Sequence, residues 1–313
     1  MNYQKLSLLF LIGFCLSLIS CDDSNDENDI QSEEETCINS VTYEIDNGTA
    51  CNNTPNATSI YELKTVGNTV EVTFNYIPPH KVLGNVTANQ KTFTFTATPE
   101  LANTTTPVAN TSYNGKTGYL GWVFGIANTG VPFDPVAAEG WLDLSTGDQN
   151  YEWNLEVLSS NAGLTYDCNN AHDLSRYHYH GTPIEYIKTI EDGNSHSALL
   201  GYAADGFPIY YKYGYADPDN ANSSIVELTS SYSVKEGCRP GDGVSAPDGA
   251  YDGSYVADYE YVNGQGDLDE CNGRWAKTPE FPDGTYVYYI TDEFPSIPRC
   301  FAGTPSEDFK VQP

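Results

Sequence analysis

The sequence predicts a mainly β fold, a loop-rich antiparallel sheet or sandwich with few short helices, stapled by disulfides. Three observations carry this expectation. Polar and apolar residues alternate through residues 69–76 and again through 91–98, which is the two-residue period of a half-buried strand. Clusters of Gly, Pro, Asn and Asp separate such runs, and the 313 residues contain 27 Gly and 18 Pro. Six cysteines follow the N-terminal region, Cys37, Cys51, Cys168, Cys238, Cys271 and Cys300, an even number with no Cys-x-x-Cys pair.

Along the chain, Lys5 precedes an apolar stretch over residues 6–19 that closes with Leu18-Ile19-Ser20-Cys21. This reads as an export signal over residues 1–20, too short for a membrane span. The closing residues resemble the lipobox of bacterial lipoproteins, where cleavage leaves Cys21 at the new N-terminus with lipid on its thiol. Residues 22–35 hold eight acidic side chains, no Lys or Arg, and Ile30 as the one aliphatic. Such a segment repels itself and cannot bury a core, so residues 21–36 are expected to be a disordered tether. The expected location is exported and lipid-anchored, on the outer membrane or cell surface rather than the inner membrane. The membrane, reached through the N-terminal lipid, is then a partner.

Residues 37–313 are read as a single β-rich domain. After the strands at 69–76 and 91–98, further strands are expected at 118–127, 151–158, 209–213, 255–262 and 285–291. Helical signals are sparse: residues 134–142, and residues 183–189 with Pro183 in the first turn. The formal charge of −29, with only 14 Lys and Arg, excludes a nucleic-acid partner, since phosphate recognition needs clustered cations. A small-molecule, glycan or protein partner stays open. Acidic loops at Asp242, Asp248 and Asp252, and at Asp267, Asp269 and Glu270, offer oxygen ligands to calcium. They fit no EF-hand spacing, and turns are the plainer reading.

Histidine is nearly confined to one window, since His172, His178, His180 and His196 are four of the five in the chain. In Tyr177-His178-Tyr179-His180 an extended backbone puts both imidazoles on one face and both phenols on the other. Two imidazoles so placed can converge on one ion. His172 lies close enough for the intervening loop to return it to the same ion, and His196 is a candidate fourth ligand. Three neutral imidazoles suit a transition metal, with copper or zinc the better guess outside the cytoplasm. Asp167 and Asp173 offer oxygen partners that orient an imidazole through its other nitrogen. The competing reading keeps His178 and His180 as hydrogen-bonded groups in a tyrosine-rich core. A cupin-like reading through Glu185 fails, because Gly181-Thr182-Pro183 interrupts the strand it needs. No nucleophile elbow, Walker A loop, dinucleotide fingerprint or His-Glu-x-x-His is present.

A longer set of motifs adds to this. Gly130-Val-Pro-Phe-Asp-Pro135, Asn170-Ala-His172, Tyr177-His-Tyr-His-Gly-Thr-Pro183 and the stretch from His196 to Tyr210 resemble the YHYH protein family. Gly249-Ala-Tyr-Asp-Gly253, Asp258-Tyr-Glu-Tyr261, Gly266 to Gly273 and Phe294 to Gly303 continue the resemblance, which covers residues 76–305. The resemblance implies a family of exported bacterial proteins and no particular reaction. It brings His80, in Ile77-Pro78-Pro79-His80, toward the same site, with Asp205 nearby. It also implies pairings. Cys271 and Cys300 sit inside family-like motifs and are expected to join each other, Cys168 to join Cys238, and Cys37 to join Cys51.

Two functional readings follow. The first is an exported lipoprotein that binds a transition metal through His172, His178, His180 and His196, with an open position allowing chemistry or a closed one making a store. The second is a metal-free module whose tyrosine-rich surface binds carbohydrate or protein.

Overall fold

A computed structural model describes residues 50–109, 111–113, 116–119, 121–173 and 176–311. The export signal, Cys21, the acidic tether and Cys37 lie outside the described residues. The chain begins its regular structure with an antiparallel meander of β1 (Tyr61–Val66), β2 (Thr69–Phe74) and β3 (Lys91–Thr96). The alternation read in the sequence decides which face is buried: Val72, Phe74 and Phe95 point inward. On the outer face Thr73 and Thr92 meet across the strands at 2.8 Å. Phe95 stacks on Tyr202 with ring centroids 5.5 Å apart, which seats the meander on a larger sheet.

That sheet contains β4 (Gly125–Ala127), β5 (Pro132–Phe133), β6 (Ala171–Asp173), β7 (Tyr177–Tyr179), β8 (Leu199–Ala203), β9 (Pro208–Tyr211), β10 (Gly273–Ala276) and β11 (Thr285–Ile290). Its order is β6-β7-β5-β4-β8-β9-β11-β10. Neighbours run antiparallel except β7 with β5 and β9 with β11, which are parallel. The sheet is thus mainly antiparallel, as expected, with two parallel joints. Parallel neighbours need a long crossover. Between β5 and β7 it includes a hairpin of Gly140–Leu142 against Gln149–Asn154. The turn between β4 and β5 requires Gly130, whose φ of +73° is left-handed and whose missing Cβ leaves room for the Ile60 carbonyl.

The core is aromatic. Phe124, Phe133, Tyr179, Tyr288 and Phe301 are fully buried, and Phe124 stacks on Phe301 at 5.2 Å. Burying each such ring contributes about 2–3 kcal/mol.

The helix expected at 183–189 is α1 (Ile184–Ile190), with Pro183 in the capping position. The helix expected at 134–142 is absent. Asp134 N instead donates to Tyr179 O at 2.8 Å, continuing the parallel pairing, and Gly140–Leu142 is a strand. Sheet partners take the backbone groups that an i−4 ladder would have used, and Pro135 has no N–H to offer. The run at 255–262 opens as a 3-10 turn, Val256–Asp258, before the strand Tyr259–Tyr261.

Two disulfides are described, Cys51–Cys168 and Cys271–Cys300, with Cα separations of 5.5 Å and 5.0 Å. The second is the expected pair. The first overturns both Cys168–Cys238 and Cys37–Cys51. The reason lies in backbone pairing: Asn53 and Val82 exchange hydrogen bonds at 3.0 and 2.9 Å, and Asn169 Nδ2 reaches the Lys81 carbonyl. The segment around Cys51 is thereby held beside the loop that carries Cys168. Cys238 is also disulfide-bonded, and its partner lies outside the described residues. Among the described residues no helix is long and apolar enough to cross a membrane.

Candidate metal centre

The site is built by two short strands at one end of the large sheet. In the antiparallel pairing of β6 with β7, His172 stands opposite His178, Ala171 opposite Tyr179 and Asp173 opposite Tyr177. His180 N donates to Asn170 O at 2.8 Å, so the extended course continues one residue past β7. Side chains alternate, and His178 and His180 share the face that His172 also occupies. Gly181 follows because a Cβ there would meet Leu158 Cδ1 at 2.6 Å.

The three rings converge edge to face, with centroids 4.6–4.8 Å apart. His180 Nε2 lies 3.1 Å from His178 Nε2 and 3.1 Å from His172 Nε2. Ligand nitrogens about 2.0–2.1 Å from a tetrahedral zinc-like ion stand about 3.3 Å apart. The observed spacing is close to that. Among the described residues, these three are the group whose ligating atoms all fall within 4.8 Å of one another.

Hydrogen bonding on the far side of the rings sharpens the chemistry. His178 Nδ1 donates to the Arg176 carbonyl at 2.7 Å. A neutral ring that spends its one proton on a carbonyl turns a bare Nε2 lone pair to the other side. The His178 Nε2 lone pair therefore faces the other two rings. A proton on His180 Nε2 can meet that lone pair but leaves the buried His180 Nδ1, which makes no hydrogen bond, uncompensated. One cation satisfies all three nitrogens.

The surroundings hold His172 and His180 neutral. Burial lowers His172, and the neighbouring His178 adds to this, against the Thr165 carbonyl and the Glu139 and Asp134 carboxylates. Burial likewise pushes His180 well down, followed by His178 and His172, with the Asp134 backbone as the smaller opposing influence. Metal binding requires the neutral form.

The imidazoles line a cavity of about 170 Å³ whose other walls include Asp134, Glu139, Leu164 and Arg176. Asp134 is buried, and burial raises its carboxyl to about 6 against the opposing Arg176 and His172. Its Oδ2 accepts from Arg176 at 3.4 Å, while Oδ1 has no partner. Sequence reasoning gave these three polar wall residues no role. Asp134 stood inside a quoted motif and Arg176 two places before His178, whereas nothing in the sequence marked Glu139.

Other candidates lie elsewhere. His196 precedes β8, and two strands, β4 and β5, separate β8 from β7, a span of about 14 Å at the usual strand spacing. Its Nδ1 meets the Ser197 carbonyl at 2.9 Å, and its ring packs on Tyr210 and Tyr215 at 5.1 and 4.9 Å. His80 is on the reverse face of β7, with Nε2 2.6 Å from the Tyr179 hydroxyl. Asp205 is buried in the turn after β8 and accepts from Tyr288 at 2.5 Å and Gly303 N at 2.9 Å. Asp173 contributes its backbone to β6, and its side chain lies outside the described residues. Asp167 accepts from Tyr177 at 2.6 Å, again behind the imidazoles.

Four carboxylates of the acidic loops are engaged by the protein's own groups. Asp242 accepts from Val244 N and Ser245 N at 2.9 and 2.7 Å, Asp252 pairs with Arg239, and Asp267 accepts from Thr229 N at 2.9 Å. Asp269 accepts from Cys271 N and Gly273 N, both at 3.0 Å.

No curated protein and no solved structure matches the chain. A family model for YHYH proteins matches residues 92–303, which include the whole imidazole site and the strand Tyr177-His178-Tyr179 that opens the motif. Since the match spans more than half of the 313 residues, the chain belongs to the YHYH protein family.

Proposed function

We propose that this YHYH protein is an exported, lipid-anchored metalloprotein that binds one copper or zinc ion through His172, His178 and His180. The observation that carries the reading is the convergence of three imidazoles on one wall of a cavity, with His178 Nε2 and His172 Nε2 each 3.1 Å from His180 Nε2 and a carbonyl behind His178. Three nitrogen ligands and an open side are the arrangement of sites that keep a position for exogenous ligand, whereas structural sites close with a fourth protein group. An ion held there supplies Lewis acidity to whatever enters the cavity. Leu18-Ile19-Ser20-Cys21 and the acidic run behind it support export and acylation at Cys21.

The metal-free module has less support. Five of the chain's 24 tyrosines, Tyr177, Tyr179, Tyr210, Tyr288 and Tyr289, are fully buried and give nothing to a binding surface.

Elemental analysis of protein purified without a histidine tag tests the metal. About one equivalent is expected in the wild type and none in the His178→Ala/His180→Ala double variant. Equal content in the two sinks the reading. Fatty-acid labelling that is lost in Cys21→Ala tests the anchor separately.

A further inference from the structure

The geometry points to a role for Asp134 that deepens this metal reading and rests on it. We propose that Asp134 is the positioning residue of the open coordination position, accepting a hydrogen bond from a protic ligand there and disfavouring aprotic anions.

The argument begins with an unmet hydrogen bond. Asp134 is 3 % exposed, lines the imidazole cavity, and keeps Oδ1 buried without a partner. A buried carboxylate oxygen with no donor is costly, and a native fold retains one where a donor arrives from outside the chain. Its other oxygen is turned to Arg176 at 3.4 Å. The backbone holds the residue in place on both sides: Asp134 N donates to Tyr179 O at 2.8 Å, and Arg299 Nη1 donates to the carbonyl of Pro135. The carboxyl is thus fixed relative to β7, the strand that carries His178.

Distance separates a ligand from an acceptor. A fourth protein ligand would stand about 3.3 Å from each nitrogen. Asp134 does not join His172, His178 and His180 in the group whose ligating atoms lie within 4.8 Å of one another. It is too far to share the ion with all three, yet it lines the same cavity as they do. A water at the open position, with its oxygen about 2 Å from the ion, can give a hydrogen to an acceptor about 2.7 Å further on.

Chemistry then sets the selectivity. A carboxylate only accepts, so it favours ligands that carry a hydrogen, such as water or a substrate hydroxyl. Azide and similar anions have none to give and meet a repelling oxygen. In Asp134→Asn the amide oxygen would face Arg176 and the NH2 would face the cavity, reversing that preference.

The test uses cobalt-loaded protein, whose visible spectrum reports the coordination sphere, titrated with azide. Asp134→Asn is expected to keep its cobalt and bind azide at least about 10-fold more tightly than wild type. Glu139→Gln removes a charge from the same cavity without touching the acceptor, and is expected to leave azide affinity nearly unchanged. Equal tightening in both variants, or none in Asp134→Asn, overturns the proposal. Loss of cobalt from folded Asp134→Asn makes Asp134 a ligand, which overturns the positioning role while the metal reading stands. Failure of the wild type to take up cobalt overturns both. Water-proton relaxation of copper-loaded wild type needs no variant: rapidly exchanging bound water is expected, and its absence overturns the proposal.

Discussion

His80 Nε2 stands 2.6 Å from the Tyr179 hydroxyl, and Thr129 Oγ1 meets the same oxygen at 3.0 Å. The contact lies behind the strand whose front face carries the imidazoles. His80→Ala is therefore expected to keep the full metal content of the wild type. Tyr179→Phe strips both hydrogen bonds from a buried site and should cost about 1–3 kcal/mol in urea unfolding, again with metal retained. Loss of metal in His80→Ala would place that ring at the ion and contradict the geometry.

His172 and His196 separate by the same logic. His172→Ala removes one of three converging nitrogens, and its affinity for zinc should fall by more than about 100-fold, the upper range for a merely orienting partner. His196→Ala should leave zinc affinity as it is, because its ring packs among Tyr210 and Tyr215. Competition with a colorimetric chelator measures both.

The Cys51–Cys168 bridge closes a span of 117 residues. In the chain-entropy picture a loop of that length contributes about 4–5 kcal/mol. Cys51→Ser/Cys168→Ser is expected to lose stability of that order, together with metal affinity, since Cys168 lies four residues before His172. Non-reduced peptide mapping should recover Cys51 joined to Cys168, and a Cys168–Cys238 peptide would refute the assignment.

Asp205 makes a pH-dependent contribution. Burial raises its carboxyl from the ordinary 3.8 to about 6, against the hydrogen bonds from Tyr288, Gly303 and Phe207. Below about pH 4 the group is protonated in both folded and unfolded chains. Between about 4 and 6 the folded chain keeps a proton that the unfolded chain has released, so this contribution falls as pH rises through that window and is level above it. Asp205→Asn cannot ionise, so its stability relative to wild type should rise by up to about 3 kcal/mol from pH 4 to pH 7. A constant difference across that range would remove the effect.

The part of the fold that sequence revealed is the part where one face is buried and the other wet. In β2 and β3 the alternation of Val70, Val72 and Phe74 with Thr and Glu exposes its period directly. In β8, Leu199 to Ala203, Leu200 and Gly201 are buried side by side and Leu199 and Tyr202 half-buried, so no alternation remains to be read. The site was legible for a similar reason. His178 and His180 are two residues apart, and a strand puts such a pair on one face. The wall residues Asp134 and Glu139 come from a crossover whose return to β7 depends on a parallel pairing of Tyr179 with Phe133. Long-range pairing of that kind leaves no local period. The expected pairings of Cys51 and Cys168 failed for the same cause, since Asn53 and Val82 determine where Cys51 lies.

β6 is the border of the eight-stranded sheet, and it is only three residues long. A sheet border offers unpaired backbone groups to any other extended chain, and short strands fray first. With His172 on β6 and His178 on β7, an ion bound between them would rivet the sheet's last seam. Demetallation would then act as an unlatching, loosening β6 and offering the flank of β7 to foreign strands. Chelated protein would aggregate at temperatures where loaded protein stays monodisperse, so metal supply outside the cell would govern this chain's solubility as well as its chemistry.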